Sequence, residues 1–331
     1  MTSGVRTWWR RTALCLVVLA AACNPQQFAE RTGGVNRLSI ATGGTGGVFY
    51  PYGGGIAKII TEYVPGVEVT AEVTAASVDN LKFLRDGQAD LVFTTGDTLA
   101  DAVNGTDAFA GSPVPVRSLA VLYSNYTQIV TMASSGIRDF GDLRGHVVST
   151  GAAGSGTEIT AFRLLTAAGI DPATDLSKQS LGVAQSVDAL RDGKIDAFFW
   201  SGGLPTASIL DLAHTSGVTI RMIPSESLLP ALQQTYGAGL YVLGTIPGGT
   251  YRGVDEDSGV VSVAIVLAVR EDMPEALAYD ITRVLFAHQS ELAAIHPEAG
   301  NLTLESAVQG SPAPFHPGAI RNYQEARVWP Q

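Results

Sequence analysis

The chain has 331 residues, of which 46 % are hydrophobic and 16 % charged, and its formal net charge at pH 7 is −10. This composition indicates a globular protein of roughly 300 folded residues in one or two domains, and its acidity argues against nucleic acid as a partner. Both cysteines, Cys15 and Cys23, lie near the N-terminus. We therefore expect no disulfide and no thiolate metal site in the folded body.

The N-terminal segment has the pattern of an export signal. Three arginines precede an apolar run over residues 12–22, which is too short for a permanent membrane-spanning helix. The run ends in Leu19-Ala-Ala-Ala-Cys23, which resembles a bacterial lipobox, although Ala20 stands where leucine is favoured. We predict a signal peptide over residues 1–22, lipidation of Cys23 as the mature N-terminus, and a polar tether over residues 23–36.

An ordinary cleaved signal peptide is the alternative, and the Arg10-Arg11 pair leaves both Sec and twin-arginine export open. In either case the mature protein is expected to be extracytoplasmic, in the periplasm or at the cell surface, and the lipid would attach it to the membrane. Loss of residues 1–22 removes three positive and no negative charges, so the formal net charge changes from −10 to −13.

The first element of the folded body is a strand, a glycine loop and a helix. A short apolar strand, Leu38 to Ala41, is followed by four glycines in the five residues Gly43 to Gly47 and by a helical pattern from Ile56 to Tyr63. This order leaves backbone N–H groups unpaired at the positive end of a helix dipole. Such a loop can bind an anion without a charged side chain.

The same order of elements occurs a second time. Residues His146 to Glu158 read as a strand, a loop of small residues and the start of a helix. Three later segments of the two copies also match. In the first copy they are Ser77-Val-Asp79, Leu84-Arg-Asp-Gly87 and residues 90–96, and in the second copy Ser186-Val-Asp188, Leu190-Arg-Asp-Gly193 and residues 196–202. We interpret the two copies as similar α/β lobes that enclose a ligand at the carboxyl ends of their strands.

Two long β-rich segments predict where the chain changes lobe. Residues 119–132 suit a strand that leaves the first lobe near 123–127, and residues 260–269 suit a strand that returns. An amphipathic helix is expected over 275–291, followed by a tail that packs onto the first lobe. The predicted first lobe therefore comprises residues 37–124 and 270–331, and the predicted second lobe residues 125–269.

Catalytic and cofactor motifs do not emerge from the sequence. Gly151-x₄-Gly156-Thr157 lacks the lysine of a Walker loop, and Phe49 stands where a dinucleotide fingerprint needs a glycine. The five histidines show no metal-ligand spacing. The best acid–base pair that can be assembled is Asp97 with Tyr50, which is poor, so we predict a binding protein without cofactor or metal rather than an enzyme.

The candidate ligand-binding residues follow the strands of both copies. Their hydroxyl and backbone N–H groups could bind a carboxylate, whereas helix capping or core packing is the alternative for the serine, the threonines and the tryptophan. Asp97 could instead hold an ammonium group of the ligand or cap the next helix. The predicted set is Gly44, Thr45, Gly46, Gly47, Tyr50, Asn80, Thr95, Asp97, Ser155, Gly156, Thr157, Trp200, Ser201 and Gly203.

Several motifs occur in an order typical of one family. They are Gly43-Gly-Thr-Gly-Gly-Val-Phe-Tyr-Pro51, Gly154-Ser-Gly-Thr-Glu158, Ile195-Asp-Ala-Phe-Phe199, Ile246-Pro-Gly-Gly-Thr-Tyr251, Val269-Arg-Glu-Asp272 and His316-Pro-Gly318. From Leu38 to Tyr323 the chain resembles the TAXI family, the extracytoplasmic solute receptors of TRAP transporters. Arg252 departs from the proline that family members often have.

The resemblance implies a type II periplasmic-binding-protein fold, with two α/β lobes joined by crossing strands. It implies a monomer that captures a small organic anion, a glutamate-like amino acid or a dicarboxylate, and delivers it to a TRAP membrane subunit. The absence of arginine from the two loops leaves neutral ligands and amino acids open. The alternatives are a receptor for a sensor kinase, the binding protein of an ABC importer with the same fold, or an enzyme on this fold.

Overall fold

The computed structural model describes residues 35–330. The predicted signal peptide, Cys23 and nearly all of the predicted tether lie outside these residues. In the described part of the chain, helices long and apolar enough to cross a membrane are absent.

Within residues 35–330, ten strands alternate with eleven α-helices, as expected for an α/β protein. The strands are β1 (Asn36–Ala41), β2 (Val67–Glu72), β3 (Leu91–Thr95), β4 (Val116–Met132), β5 (Val147–Ser149), β6 (Ser177–Gln179), β7 (Ala197–Gly202), β8 (Ile220–Met222), β9 (Tyr241–Ile246) and β10 (Ser258–Arg270). The helices are α1 (Phe49–Tyr63), α2 (Ser77–Arg85), α3 (Gly96–Asn104), α4 (Gly156–Ala167), α5 (Val183–Arg191), α6 (Ala207–His214), α7 (Leu229–Tyr236), α8 (Glu275–Ala287), α9 (Gln289–Ile295), α10 (Leu304–Ala307) and α11 (Pro317–Glu325).

The sheet consists of two equivalent halves that share two long strands. Its main order is β2-β1-β3-β10-β4-β7-β5-β6. In the first half β1 is parallel to β2 and β3, and β10 runs antiparallel to β3. In the second half β5 is parallel to β6 and β7, and β4 runs antiparallel to β7. The prediction of two similar α/β lobes joined by crossing strands is confirmed.

Equivalent residues make equivalent bonds in the two lobes. A carboxylate oxygen of Asp90 accepts the N–H of Ser39 on β1, and Asp196 accepts the N–H of Val147 on β5, both at 2.8 Å. Gly87 and Gly193 end the second helix of each lobe with φ of +70° and +68°. Both turns need the left-handed conformation that glycine adopts readily.

One part of the predicted repeat is out of register. The helices α2 and α5 have nine residues each and end at Arg85 and Arg191. Ser77 is therefore equivalent to Val183, and Ser186 is equivalent to Asn80. The matched Ser-Val-Asp triplets therefore occupy positions about one turn apart in the two equivalent helices, so their identical residues are not structurally equivalent.

Four hydrophobic clusters within residues 35–330 divide between the lobes. Two of them draw on residues up to Tyr123 and from Ala264 onward, and the other two on residues 129–263, apart from partly buried Tyr126 and Ile159. On β10, Val263 packs into the second lobe and Ile265 into the first. The predicted boundary at residue 269 lies further along the same strand.

The C-terminal tail packs onto the first lobe through α11. His316 caps this helix by accepting the N–H of Gly318 at 3.2 Å, and its other ring nitrogen lies 2.9 Å from the carbonyl oxygen of Met273. A methyl group added to Gly318 would overlap the backbone of Glu275. The His316-Pro-Gly318 motif is thus explained by helix capping and by the close approach of α11 to α8.

Two helix boundaries differ from the prediction. The first helix already begins at Phe49. Pro51 falls in its first turn, where a backbone N–H would have no helical acceptor, so the N–H that proline lacks costs no hydrogen bond. The helix predicted over 275–291 is interrupted at His288, which has a φ of −119° and separates α8 from α9.

Candidate ligand-binding site

A cavity of about 390 Å³ lies between the two lobes. It is in the size range of small-molecule sites, which are usually concave and mostly apolar. Its lining comes from the loops that follow β1, β2, β5 and β6 with the first residues of the next helices, from the C-terminal ends of β3 and β7, and from Tyr123 on the crossing strand β4. The lining residues are Gly43, Gly44, Gly47, Val48, Phe49, Val73, Thr74, Ala75, Ala76, Ser77, Thr95, Tyr123, Ala152, Ser155, Gly156, Thr157, Ser180, Leu181, Gly182, Val183, Gln185, Trp200, Ser201 and Gly202.

The N-terminal ends of five helices reach this cavity. The residues that precede α1, α2, α3, α4 and α5 are Val48, Ala76, Thr95, Ser155 and Gly182, and each of them lines it. The positive ends of these helix dipoles therefore surround the cavity, which favours negative charge inside it.

The first turn of α4 keeps hydrogen-bond donors available. The hydroxyl of Ser155 accepts the N–H of Glu158 at 3.1 Å, whereas the N–H groups of Gly156 and Thr157 have no acceptor within residues 35–330. By contrast, Val78 and Asp79 of α2 both donate their N–H groups to the carbonyl oxygen of Gly154 in the other lobe. The start of α2 is thus bonded to the second lobe, whereas the start of α4 faces the cavity.

Charged side chains are absent from the cavity lining in the described part of the chain. Its walls are largely apolar, with Phe49 from the first lobe and Leu181, Val183 and Trp200 from the second. The indole N–H of Trp200 donates to Oγ1 of Thr206 at 2.9 Å. Trp200 therefore lines the cavity with its ring, while its polar atom is held by the protein.

Tyr123 contributes a hydroxyl with no partner within residues 35–330. Its side chain is 4 % exposed, lines the cavity and stacks on Tyr52 with ring centroids 6.1 Å apart. Burial, together with the nearby charge of Glu298, raises the pKa of Tyr123 well above its ordinary value. The group therefore stays an O–H donor at all physiological pH values.

Asp97 lies outside the cavity lining and takes part in a contact between the lobes. One carboxylate oxygen accepts the hydroxyl of Thr160 at 2.8 Å and that of Tyr241 at 2.9 Å, and the other accepts the N–H of Thr98 at 2.7 Å. Because these bonds engage both oxygens of a fully buried carboxylate, its position favours a structural role over the predicted contact with a ligand ammonium group.

Arg163 completes this contact. Its guanidinium lies 2.7 Å from both carboxylate oxygens of Asp101 and 2.7 Å from Asp107, and its carbon Cζ lies 4.1 Å from the centre of the Tyr236 ring. Burial raises the pKa of Asp101 to about 6, against the lowering effect of Arg163. We call Asp97, Asp101, Asp107, Thr160, Arg163 and Tyr241 the interlobe cluster.

Glycines of the first loop let the lobes approach each other. The carbonyl oxygen of Gly46 accepts the hydroxyl of Ser208 at 3.2 Å, and a methyl group added to Gly46 would lie 2.6 Å from that hydroxyl. One added to Gly47 would lie 2.8 Å from the ring of Trp200. These two positions stay small because the second lobe packs against them.

The structure brings eight of the fourteen predicted residues into the cavity lining: Gly44, Gly47, Thr95, Ser155, Gly156, Thr157, Trp200 and Ser201. Several of their hydroxyls are already bonded within the protein. Thr157 accepts the N–H of Ser201 at 3.2 Å, Ser201 accepts the amide of Asn125 at 2.7 Å, and the hydroxyls of Thr95 and Thr98 are 2.8 Å apart.

The other six predicted residues, Thr45, Gly46, Tyr50, Asn80, Asp97 and Gly203, are not among the lining residues. The amide of Asn80 donates to the carbonyl oxygens of Ala41, Thr42 and Phe93 and so joins α2 to β1 and β3. Gly203 packs against Glu298, which accepts the N–H of Leu204. Tyr50 lines a separate groove beside Lys58, so Asp97 and Tyr50 do not form an acid–base pair.

Sequence reasoning missed the loops after β2 and β6. Residues 73–77 and 180–183 line the cavity, as the rule about the carboxyl ends of parallel strands requires. Applying that rule to every strand of the repeat would have found them. Phe49 also lines the cavity, although the sequence analysis placed it only within motifs and not among the binding residues.

The model of the NMT1-like family matches residues 40–326. The chain belongs to the NMT1-like family. Two solved structures share its fold. The alkanesulfonate-binding protein from Xanthomonas axonopodis pv. citri, bound to MOPS, is 15 % identical with a TM-score of 0.50, over 90 % of this chain and 81 % of that one.

A chain from the structural study of glutathione import through GshT and the cystine ABC importer TcyBC of Streptococcus mutans is 14 % identical with a TM-score of 0.50, over 80 % of this chain and 95 % of that one. At these identities the likeness shows the fold alone, and it confirms the predicted type II periplasmic-binding-protein fold. The more specific resemblance to the TAXI family stays a prediction.

Proposed function

We propose that the protein is an extracytoplasmic solute-binding protein that captures one small molecule between its lobes and presents it to a membrane transporter. The observation that carries this proposal is the cavity between the lobes, whose rim is closed by direct bonds from one lobe to the other. A ligand that touches both lobes stabilises the closed arrangement, and a transporter can recognise that arrangement.

The membrane partner that we propose is an ABC importer. The support is the alkanesulfonate-binding protein and the glutathione and cystine import system, whose chains share this fold. A TRAP transporter is the second candidate, favoured by the ordered motifs of the sequence. Of these motifs, Ile246 to Tyr251 is partly structural, since Tyr251 bonds Thr206 and Gln128, whereas Arg252 is exposed.

Uptake into vesicles that contain the permease separates these partners. An ABC importer needs ATP hydrolysis, which the loaded binding protein stimulates. A TRAP transporter needs an ion gradient and no ATP. The receptor of a sensor kinase would support uptake in neither case.

The capture function is tested by thermal unfolding with a broad library of small molecules. The purified protein is first unfolded and refolded to remove any ligand that came with it. A ligand at 100 times its dissociation constant stabilises the folded state by about 2.7 kcal/mol. Small-angle scattering should then show a smaller radius of gyration. Failure of every compound would contradict the proposal, and turnover of a bound compound would favour an enzyme.

The location and the anchor are tested on the intact chain. We propose that the protein is exported as a monomer and held at the membrane by a lipid on Cys23. Mass spectrometry of the protein from membranes should find the lipid, and Cys23→Ala should release the protein into the soluble fraction. An unmodified, soluble wild type would favour the cleaved signal peptide.

A further inference from the structure

The cavity has no group that can neutralise a second charge on a ligand. Within residues 35–330 its lining contains no carboxylate, lysine, arginine or histidine. Glu158, which follows the lining residue Thr157, accepts the N–H of Gly154 and pairs with Lys178. Asp97 and Arg163 are engaged in the interlobe cluster, where Asp97 accepts the hydroxyl of Thr160 and Arg163 donates to Asp101. A desolvated ammonium group would therefore stay unpaired, and a second carboxylate would have no cation to pair with, which is costly in each case.

Donors for one negative charge are present. The helix α4 has twelve residues, and the N–H groups of Gly156 and Thr157 at its start have no acceptor within the described residues. Independently, Tyr123 lines the same cavity, and its buried hydroxyl has no partner in that part of the chain. An oxyanion can accept hydrogen bonds from such groups and gains from the helix dipole.

The rest of the lining suits hydrocarbon. Phe49, Leu181 and Trp200 present apolar surface from both lobes. Burying an apolar ligand body against them stabilises the complex by about 25 cal/mol for each Å² removed from water. The lining is therefore mostly apolar, with a smaller share of polar groups that includes the start of α4.

We propose that the ligand is an organic monoanion with an apolar body, whose single oxyanion group binds at the start of α4. This inference rests on the proposed capture function. It differs from the glutamate-like amino acid or dicarboxylate that the sequence resemblance implies, because both of those carry a further charge.

Six probes of similar length but different charge test the inference by calorimetry on the refolded protein. They are hexanoate, pentanesulfonate, norleucine, adipate, hexylamine and hexanol. Hexanoate or pentanesulfonate should bind at least about tenfold more tightly than each of the other four. The comparison of these two also tells a carboxylate from a sulfonate.

Other results overturn the inference in distinguishable ways. If norleucine, adipate, hexylamine or hexanol binds most tightly, or if none of the six binds at millimolar concentration while a library compound that is not an apolar monoanion does, the ligand class is wrong and the capture function stands. If no compound of either set binds, both the proposed ligand class and the proposed capture function are wrong.

Two variants at one position check the charge directly. Gln185 lies in the first turn of α5, is exposed and lines the cavity. Gln185→Glu should weaken the binding of the monoanion, and Gln185→Lys should strengthen it, each about three- to tenfold at low salt. The control Gln324→Glu, on α11 outside the lining, should change it less than twofold. Equal effects of Glu and Lys would contradict a charged ligand.

Discussion

The two lobes meet in two regions of opposite character. In the interlobe cluster, three aspartates and one arginine are joined by hydrogen bonds between α3, α4 and the loop after α3. Around the cavity, the same two lobes present glycines, hydroxyls, apolar side chains and helix N-termini, with no charged side chain in the described lining. The charges of this interface are therefore concentrated away from the cavity.

This difference suggests a division of work. A buried ion cluster has a fixed geometry, so it sets how the lobes come together whatever the ligand is. Backbone dipoles around an apolar cavity recognise one charge and a shape. Substitutions in the cluster should therefore change stability and closure for every ligand, and substitutions in the cavity should change affinity alone.

The largest expected effect comes from breaking the cluster. Arg163→Met leaves the buried Asp101 without its paired cation and removes the nearby positive charge from Asp97, which should reduce the free energy of unfolding by about 3–5 kcal/mol. Urea unfolding measures it. The control is Arg191→Met, which breaks an exposed ion pair with Asp188 and should cost less than about 1 kcal/mol. Equal losses of unfolding free energy in the two variants would show that the cluster contributes no more to stability than an exposed ion pair.

Filling the cavity should lower ligand affinity and leave stability nearly unchanged. A methyl group added to Gly44 meets no atom within 4 Å, so Gly44→Leu places its side chain in open space at the cavity wall. Ligand affinity should fall at least about tenfold, or 1.4 kcal/mol, with little change in stability. Gly300→Leu, at a glycine with similar open space outside the cavity lining, should leave affinity unchanged. Undiminished affinity in Gly44→Leu would show that the ligand lies elsewhere.

The pH dependence of stability tests the cluster without disrupting its packing. The pKa of Asp101 is about 6 in the folded protein and 3.8 for the free side chain, so the folded state binds the additional proton between these values. Its contribution to stability therefore falls as the pH rises from about 4 to about 6 and is constant above. Relative to Asp101→Asn, the wild type should lose stability over this window in urea unfolding.

A matched control separates this effect from the general charge of an acidic protein. Asp188→Asn removes an exposed carboxylate, and its stability profile should run parallel to that of the wild type. If the profiles of the wild type and Asp101→Asn also run parallel from pH 4 to pH 6, the buried aspartate does not titrate there and the cluster stays charged throughout.

The sequence predicted those parts of the fold that rest on local patterns. The glycine loops, the Asp-Gly turns and the two long crossing strands each have a signature within a few residues, and their repetition predicted the two lobes. The triplets at Ser77 and Ser186 show the limit of this reasoning, because similar letters fell at different turns of equivalent helices.

The candidate site was predicted less completely, because it depends on contacts between distant parts of the chain. Asp97 looked like a ligand partner, yet Thr160 and Tyr241, 63 and 144 residues away, occupy its carboxylate. Nothing near Asp97 in the sequence indicates those partners. Gly46 was likewise interpreted as a donor of N–H groups, whereas its small size admits Ser208 of the other lobe.

The smallest expected effect comes from a substitution outside both the interlobe cluster and the cavity. It tests whether stability and ligand affinity change independently. Gly54 is in the interior of α1, where an added methyl group meets no atom within 4 Å. Gly54→Ala should stabilise the protein by about 0.5–1 kcal/mol, because alanine restricts the unfolded chain and favours the helix, with no change in ligand affinity. Its neighbour provides the control, since a methyl group on Gly53 would overlap Thr42 and should destabilise the fold. A change in affinity with Gly54→Ala would mean that stability and closure are coupled even far from the interlobe cluster, and the proposed division between the two regions would then be wrong.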